Sequence, residues 1–250
     1  MAANQQLTPG KRMLPSRITY DKTKTIDIDF NVLKENHIIA GFEPEPFSNV
    51  YKILRAQVLQ ELRSNGWNSI GVTSARKGEG KTLTAINLAI SLSMDVNHTV
   101  LLVDANLRSP AISNYFGIQP KYGLSDCLID GIEVEDVLLH PSGIDRLVVL
   151  PGGKPFINAG EMLASPMMVE FIREVKTRYA SRIIIFDLPP VLVAGESLIV
   201  ASHIDTSLLV VEAGKTKKSE AATAESLLSS ANVMGTVLSK SREKMRMGAF

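Results

Sequence analysis

The chain has 250 residues, of which 45% are hydrophobic and 21% charged, and its formal net charge is +1. This length accommodates one large domain with a sizeable core, and the balanced charge provides no global basic field for nucleic acid. The longest apolar runs, such as Ile183 to Phe186 and Ser207 to Val211, are strand-sized and far short of the roughly 20 residues that span a bilayer.

Residues 1 to about 45 are polar, carry several prolines and show only short apolar pieces, Val32-Leu33 and Ile38-Ile39-Ala40, which reads as a flexible N-terminal arm. Lys11, Arg12 and Arg17 are not followed by the apolar run of a secretory signal, so a cytoplasmic chain is expected. From Phe47, apolar Val50, Leu54, Val58 and Leu62 recur at helical spacing among Lys52, Arg55 and Arg63. An apolar run at 69–73, a helical pattern at 81–94 and a second run at 99–103 then make a βαβ unit. After a Pro/Gly-rich stretch at 109–123, further strands are predicted at 146–150, 182–186, 207–211 and 233–238. Helices are predicted between them at about 125–139, 161–179, 196–203 and 216–230. Runs apolar on both faces, such as Ile183-Ile184-Ile185-Phe186, are those of central strands in a covered parallel sheet. The fold class is therefore α/β, doubly wound, with a mainly parallel sheet. Its domain spans 46–240, between the arm at 1–45 and a basic tail at 241–250. Cys127 is the only cysteine, so an internal disulfide is excluded and a buried, inert thiol is expected. His37, His98, His140 and His203 show no ligand spacing and read as solvent-facing or capping groups.

The segment Ala75-Arg76-Lys77-Gly78-Glu79-Gly80-Lys81-Thr82 directly follows a predicted strand and opens a predicted helix. In such a P-loop, glycines let backbone N–H groups cradle phosphate, the helix N-terminus adds positive potential, the lysine reaches the terminal phosphates, and the hydroxyl can ligate Mg²⁺. Ala75 stands where the usual pattern begins with glycine. Two strands further on end in carboxylates, Val103-Asp104-Ala105-Asn106-Leu107-Arg108 and Phe186-Asp187-Leu188-Pro189-Pro190, at the sheet edge where ligands of open α/β folds bind. Mg²⁺ needs oxygen ligands and an attacking hydroxyl or water needs a base. Lys81, Asp104 and Asp187 are thus the candidate catalytic residues, and Thr82, Asp104 and Asp187 the candidate metal set for Mg·ATP. Ala75 to Thr82, with Thr84, form the candidate nucleotide-binding set.

Together the loop ending Gly-Glu-Gly-Lys-Thr, the segment Val-Asp-Ala-Asn-Leu-Arg-Ser-Pro at 103–110 and Phe-Asp-Leu-Pro-Pro at 186–190 resemble the Walker A, A′ and B motifs of bacterial tyrosine kinases. These are cytoplasmic P-loop ATPases of capsule and exopolysaccharide synthesis. The resemblance covers about 47–240 and includes Tyr115-Phe116-Gly117-Ile118, Pro151-Gly152-Gly153 and Leu208 to Thr216. It implies that Lys81 contacts phosphate, Thr82 binds metal, Asp104 is the base and Asp187 holds Mg²⁺ through water; by position in the pattern it adds Asn106 to the metal set, and Arg108, which matches an arginine of the pattern, and Ser239 to the nucleotide-binding set. It also implies a membrane chain-length regulator of the polysaccharide co-polymerase type as partner, with the chain held peripherally at the inner membrane.

The chain departs from the pattern at several positions. Asn106 replaces a second acidic residue and brings no negative charge; Gly195-Glu196 occupies the region where the family has an aspartate after Pro190; Ser239 replaces an asparagine that reads the purine. The ring-forming motif reads Asn49, Lys52 and Arg55, without its acidic member, so a homo-oligomer stays open. No tyrosine follows Tyr179, whereas the family's autophosphorylated tail is a tyrosine cluster. Two other readings stay open beside a kinase-type ATPase: a catalytically weak nucleotide switch acting on the membrane partner, and a partitioning or positioning ATPase, for which a lysine would be expected at Arg76.

Overall fold

The computed structural model describes residues 23–40, 48–178 and 181–241. In chain order its elements are β1 (Lys24–Ile26), α1 (Phe30–Glu35), α2 (Ser48–Asn65), β2 (Ser69–Ser74), α3 (Lys81–Ser93), β3 (Thr99–Asp104), α4 (Ile112–Phe116), α5 (Leu124–Asp130), α6 (Val134–Val137), β4 (Leu139–Pro141), β5 (Leu147–Leu150), α7 (Ala159–Leu163), α8 (Pro166–Arg178), β6 (Arg182–Asp187), α9 (Glu196–Ala201), β7 (Thr206–Glu212), α10 (Lys218–Leu227) and β8 (Val233–Ser239). The strands form one sheet in the order β1-β4-β5-β3-β6-β2-β7-β8. Its neighbours run parallel except β4 with β5.

The expected doubly wound α/β architecture is present, and strand alternation explains it. Val100, Leu102, Ile183 and Ile185 belong to one buried cluster with Leu62 of α2 and Ile86 and Ile90 of α3. The intervening Leu101, Val103, Ile184 and Phe186 pack in a second cluster with Leu128, Met162, Phe171 and Ile172 of α5, α7 and α8. Each central strand thus buries both faces, which is why its sequence is a continuous apolar run. Cys127 lies buried in α5, and burial pushes its thiol up to about 11.

Three parts differ from the sequence reading. The helix expected over 125–139 stops at Gly131, whose φ of 67° ends α5. The chain then forms α6 and β4, the antiparallel strand that the apolar pattern did not reveal. The helix expected over 161–179 breaks before Pro166, which starts α8 and disfavours helical geometry in the residue ahead of it. Within the expected arm, residues 23–40 are ordered into the fold. β1 pairs with β4, and Leu33, Ile38 and Ala40 are buried in the first cluster. The rest of the arm and of the basic tail, residues 1–22, 41–45 and 242–250, lies outside the described residues. His140 also differs, being buried with its Nδ1 at 2.8 Å from the Leu147 carbonyl, so it is neither solvent-facing nor a cap.

Among the described hydrogen bonds, those between the N-terminal segment and α3 all run through one side chain. Asn87, fully buried, accepts from the backbone N–H groups of Ile39 (2.8 Å) and Ala40 (3.0 Å) and donates to the His37 carbonyl (3.3 Å). Asn87→Ala leaves these groups without their partner at a cost of about 1–3 kcal/mol. A urea midpoint equal to that of the wild type would show that the segment is not held this way.

Candidate nucleotide-binding site

β2 delivers the chain to a loop at 75–80, and α3 starts at Lys81. Gly78 and Gly80 have φ of 86° and 90°, a left-handed backbone that a side chain disfavours. Ala75 needs no such freedom. Its methyl is buried among Val191, Leu209 and Val211, so alanine serves where the usual pattern has glycine. The carbonyl side of the loop is tied down: Ser239 Oγ donates to the Glu79 carbonyl at 2.6 Å and Lys240 Nζ to the Gly78 carbonyl at 2.7 Å. The buried Glu79 carboxylate accepts from the Arg76 N–H at 2.8 Å and from the Thr216 hydroxyl, while Arg76 pairs with Glu220 at 2.5 Å. The amides of Lys77, Gly78, Glu79 and Gly80 donate in none of the described hydrogen bonds, which leaves a row of donors at the N-terminus of a helix.

The two candidate carboxylates meet because their strands are neighbours. Asp104 and Asp187 are register partners at the ends of β3 and β6, and both are fully buried. Lys81 Nζ lies 3.1 and 3.4 Å from the Asp187 oxygens and 2.9 Å from Thr82 Oγ1, and the Thr82 hydroxyl donates to Asp187 Oδ2 at 2.7 Å. Asp104 Oδ2 accepts from the backbone N–H groups of Ala111 (2.8 Å) and Ile112 (2.9 Å). Burial, followed by the charge of Asp187, pushes the Asp104 carboxyl up to about 7, against the pull of those amides and of Lys81. Burial raises Asp187 as well, opposed by Lys81 and Thr82. With an ammonium at hydrogen-bond distance, Asp187 ionises first and Asp104 keeps its proton toward neutral pH.

The other candidates fall in different places. Asn106 is buried beside Asp104 and its amide donates to the Ser109 carbonyl at 2.9 Å. The half-exposed Arg108 pairs with the buried Glu196, and Lys77 is exposed. Thr84, in the candidate nucleotide set, is buried and hydrogen-bonds Tyr51 of α2, so the structure does not bring it into the cluster. Ser239, also in the candidate nucleotide set, buttresses the loop through the Glu79 carbonyl. Sequence reasoning missed the part played by Gly152: a Cβ there would meet Pro110 at 2.7 Å and the Asp104 carboxyl carbon at 3.3 Å. The Pro-Gly-Gly run after β5 was the available signal. Thr216 and Glu220, which anchor the loop through Glu79 and Arg76, carried no signal because their partners lie more than a hundred residues away.

A family profile described as AAA domain matches residues 68–224. Tyrosine-protein kinase YwqD of Bacillus subtilis (strain 168) is 32% identical over 207 residues, covering 82% of this chain and 86% of its own length. The chain belongs to the bacterial tyrosine-kinase family. Two solved structures resemble it: the chimerical protein CapA2B2, with TM-score 0.74 and 25% identity over 86% of this chain and 92% of that one, and the kinase domain of Escherichia coli tyrosine kinase ETK, with TM-score 0.74 and 25% identity over 85% and 84%. The chain is accordingly a P-loop enzyme of the bacterial protein-tyrosine kinase type, in a family of capsule and exopolysaccharide production, and its fold implies nucleotide binding.

In this family member, the Asp104 carboxyl has a folded pKa of about 7 against 3.8 when unperturbed. The folded state therefore binds its proton more tightly, and the associated stability, complete below about pH 4, is lost as pH rises through about 7. In metal-free protein, the melting temperature of the wild type should fall between pH 5 and pH 8 more than that of Asp104→Asn. Equal pH slopes for the two would contradict the assignment.

Proposed function

We propose that this chain binds Mg·ATP across the loop at 75–82 and transfers the γ-phosphoryl group to a tyrosine hydroxyl, in capsule or exopolysaccharide production. The observation that carries the proposal is the convergence of Lys81, Thr82 and Asp187 within 3.4 Å, with Asp104 in register beside Asp187. Carboxylate and hydroxyl oxygens suit Mg²⁺, and a row of undonated amides between left-handed glycines suits phosphate, so the residues present fit both groups. Thr82, Asp187, Asp104 and Asn106 would hold the metal, which when bound neutralises charge developing on the phosphate oxygens. Lys81 exchanges the Asp187 carboxylate for the terminal phosphates. The bond from the γ-phosphorus to the ADP oxygen breaks as the bond to the phenolic oxygen forms, and the phenol proton passes to Asp104. A carboxylate that titrates near neutrality suits that role.

The acceptor is constrained by the chain itself. Among the 250 residues no tyrosine follows Tyr179; Tyr51 is half-buried, packed against the core with its phenol pushed up to about 12, and Tyr122 is exposed. Tyr20 and Tyr179 lie outside the described residues. The exposed Tyr122 is thus an accessible acceptor; a tyrosine of another protein is the alternative. Among the described residues no helix is long and apolar enough to cross a membrane. Membership of the tyrosine-kinase family supports peripheral attachment at the cytoplasmic face of the inner membrane through a chain-length regulator of the polysaccharide co-polymerase type. Arg55 of the ring motif on α2 is engaged within the chain, donating to the Ser91 carbonyl at 2.8 Å. The absent acidic partner at Asn106 favours slow chemistry until the membrane partner docks. A pure nucleotide switch is distinguished from this enzyme by measuring turnover with and without that partner.

Lys81→Met should weaken ATP binding about 10- to 100-fold, the worth of a charge-assisted contact to phosphate, with the fold retained. Calorimetry that finds wild-type affinity in this variant would overturn the P-loop assignment. Asp187→Asn should lower Mg²⁺-dependent turnover more than it lowers ATP affinity, and full turnover in that variant would remove Asp187 from the metal site.

A further inference from the structure

α4 has only five residues, too few to hold a helix in place through its own hydrogen bonds, yet the amides at its start, Ala111 and Ile112, are the two that bind Asp104 Oδ2. Its other end is held from the N-terminal segment. The side chain of Asn36 donates to the Tyr115 carbonyl at 3.0 Å and to the Asn114 carbonyl at 3.5 Å. The Val32 side chain fills the space over Gly117, where an added Cβ would meet it at 2.9 Å. Asn36 is itself fixed, because it caps α1 with its N–H on the Val32 carbonyl at 3.0 Å, and the residues just beyond it are bound by Asn87 of α3. Leu33 and Ile38 share a buried cluster with Ile112 and Phe116. A continuous set of contacts therefore runs from the P-loop helix through residues 36–40 and α4 to Asp104.

We propose that Asn36 is a positioning residue for Asp104, acting through α4, so that the segment before the P-loop domain takes part in setting up the base. This rests on the role given to Asp104 above. Ala111 and Ile112 are consecutive, so any tilt of α4 draws both donors away from the same oxygen. Among the described hydrogen bonds none joins α4 or Asn36 to the loop at 75–80, to Lys81 or to Thr82, so Asn36 acts on Asp104 and not on the phosphate cradle.

The test uses the full chain with Asn36→Ala and with the isosteric Asn36→Asp, which sets a carboxylate against the two carbonyls. Both variants should lose about three- to tenfold in kcat, the worth of a net hydrogen bond or two, with a smaller change in the KM for ATP. Amide hydrogen exchange in the peptide containing residues 111 and 112 should quicken while that in α3 does not. Wild-type kcat, or wild-type exchange at 111–112, in either variant overturns the proposal. Equal loosening of α3 together with a KM that rises as much as kcat falls overturns it as well, because that is the mark of a general structural role. Should the wild type turn over no ATP with or without a membrane partner, the proposed reaction fails, and exchange at 111–112 alone then decides whether Asn36 holds α4.

Discussion

Two carboxylates buried side by side at the ends of β3 and β6 are the constraint around which the site is organised. Like charges held this close and out of water oppose each other and cost solvation, a penalty that fixed donors and a counter-charge must offset. Here the donors are built into the backbone on one side and into the P-loop helix on the other: the amides of Ala111 and Ile112 serve Asp104, whereas Lys81 and Thr82 serve Asp187. Gly152 allows the β5 turn to close over Asp104. The same residues that make the pair tolerable are those whose chemistry suits phosphate and Mg²⁺. The site therefore already satisfies itself, and a ligand must compete for Lys81 and Thr82 with Asp187.

The phosphate loop is similarly not a free element. Glu79, Ser239, Lys240 and Thr216 tie it to the ends of β7 and β8, so its carbonyls are fixed from below and its amides left on the other side. Lys240 sits at φ 54°, a conformation uncommon for a residue with a side chain, at the point where its ammonium reaches both the loop and Glu212 (3.1 Å). Rigid placement of donors ahead of the ligand is what electrostatic stabilisation of a transferring phosphoryl group needs.

Much of this was readable in the residues. β2, the loop and α3 announce themselves because the glycines, lysine and threonine occur at the junction of an apolar run with a helical pattern, and β3 and β6 because both faces are apolar. The N-terminal segment was not readable. β1 is three residues long with an exposed pattern, and Leu33, Ile38 and Ala40 are too few and too irregular to show a period. Their burial is decided by α3 and α4, which lie far along the chain. α4 hides in a Pro/Gly-rich stretch because its geometry is imposed by contacts at its two ends rather than by helix propensity. Thr84 illustrates the opposite error: it lies close to the motif in sequence, but its turn of α3 faces Tyr51.

The protonated, enclosed state of Cys127 has a practical corollary. A thiol whose pKa lies near 11 inside α5 offers almost no thiolate at neutral pH, and thiolate is the species that reacts with alkylating dyes. Since it is the chain's sole cysteine, one cysteine engineered onto the exposed surface would accept a fluorophore or spin label against a silent background. Two such cysteines, one on α4 and one on the phosphate loop, would make the distance between them measurable in solution without first removing a native residue.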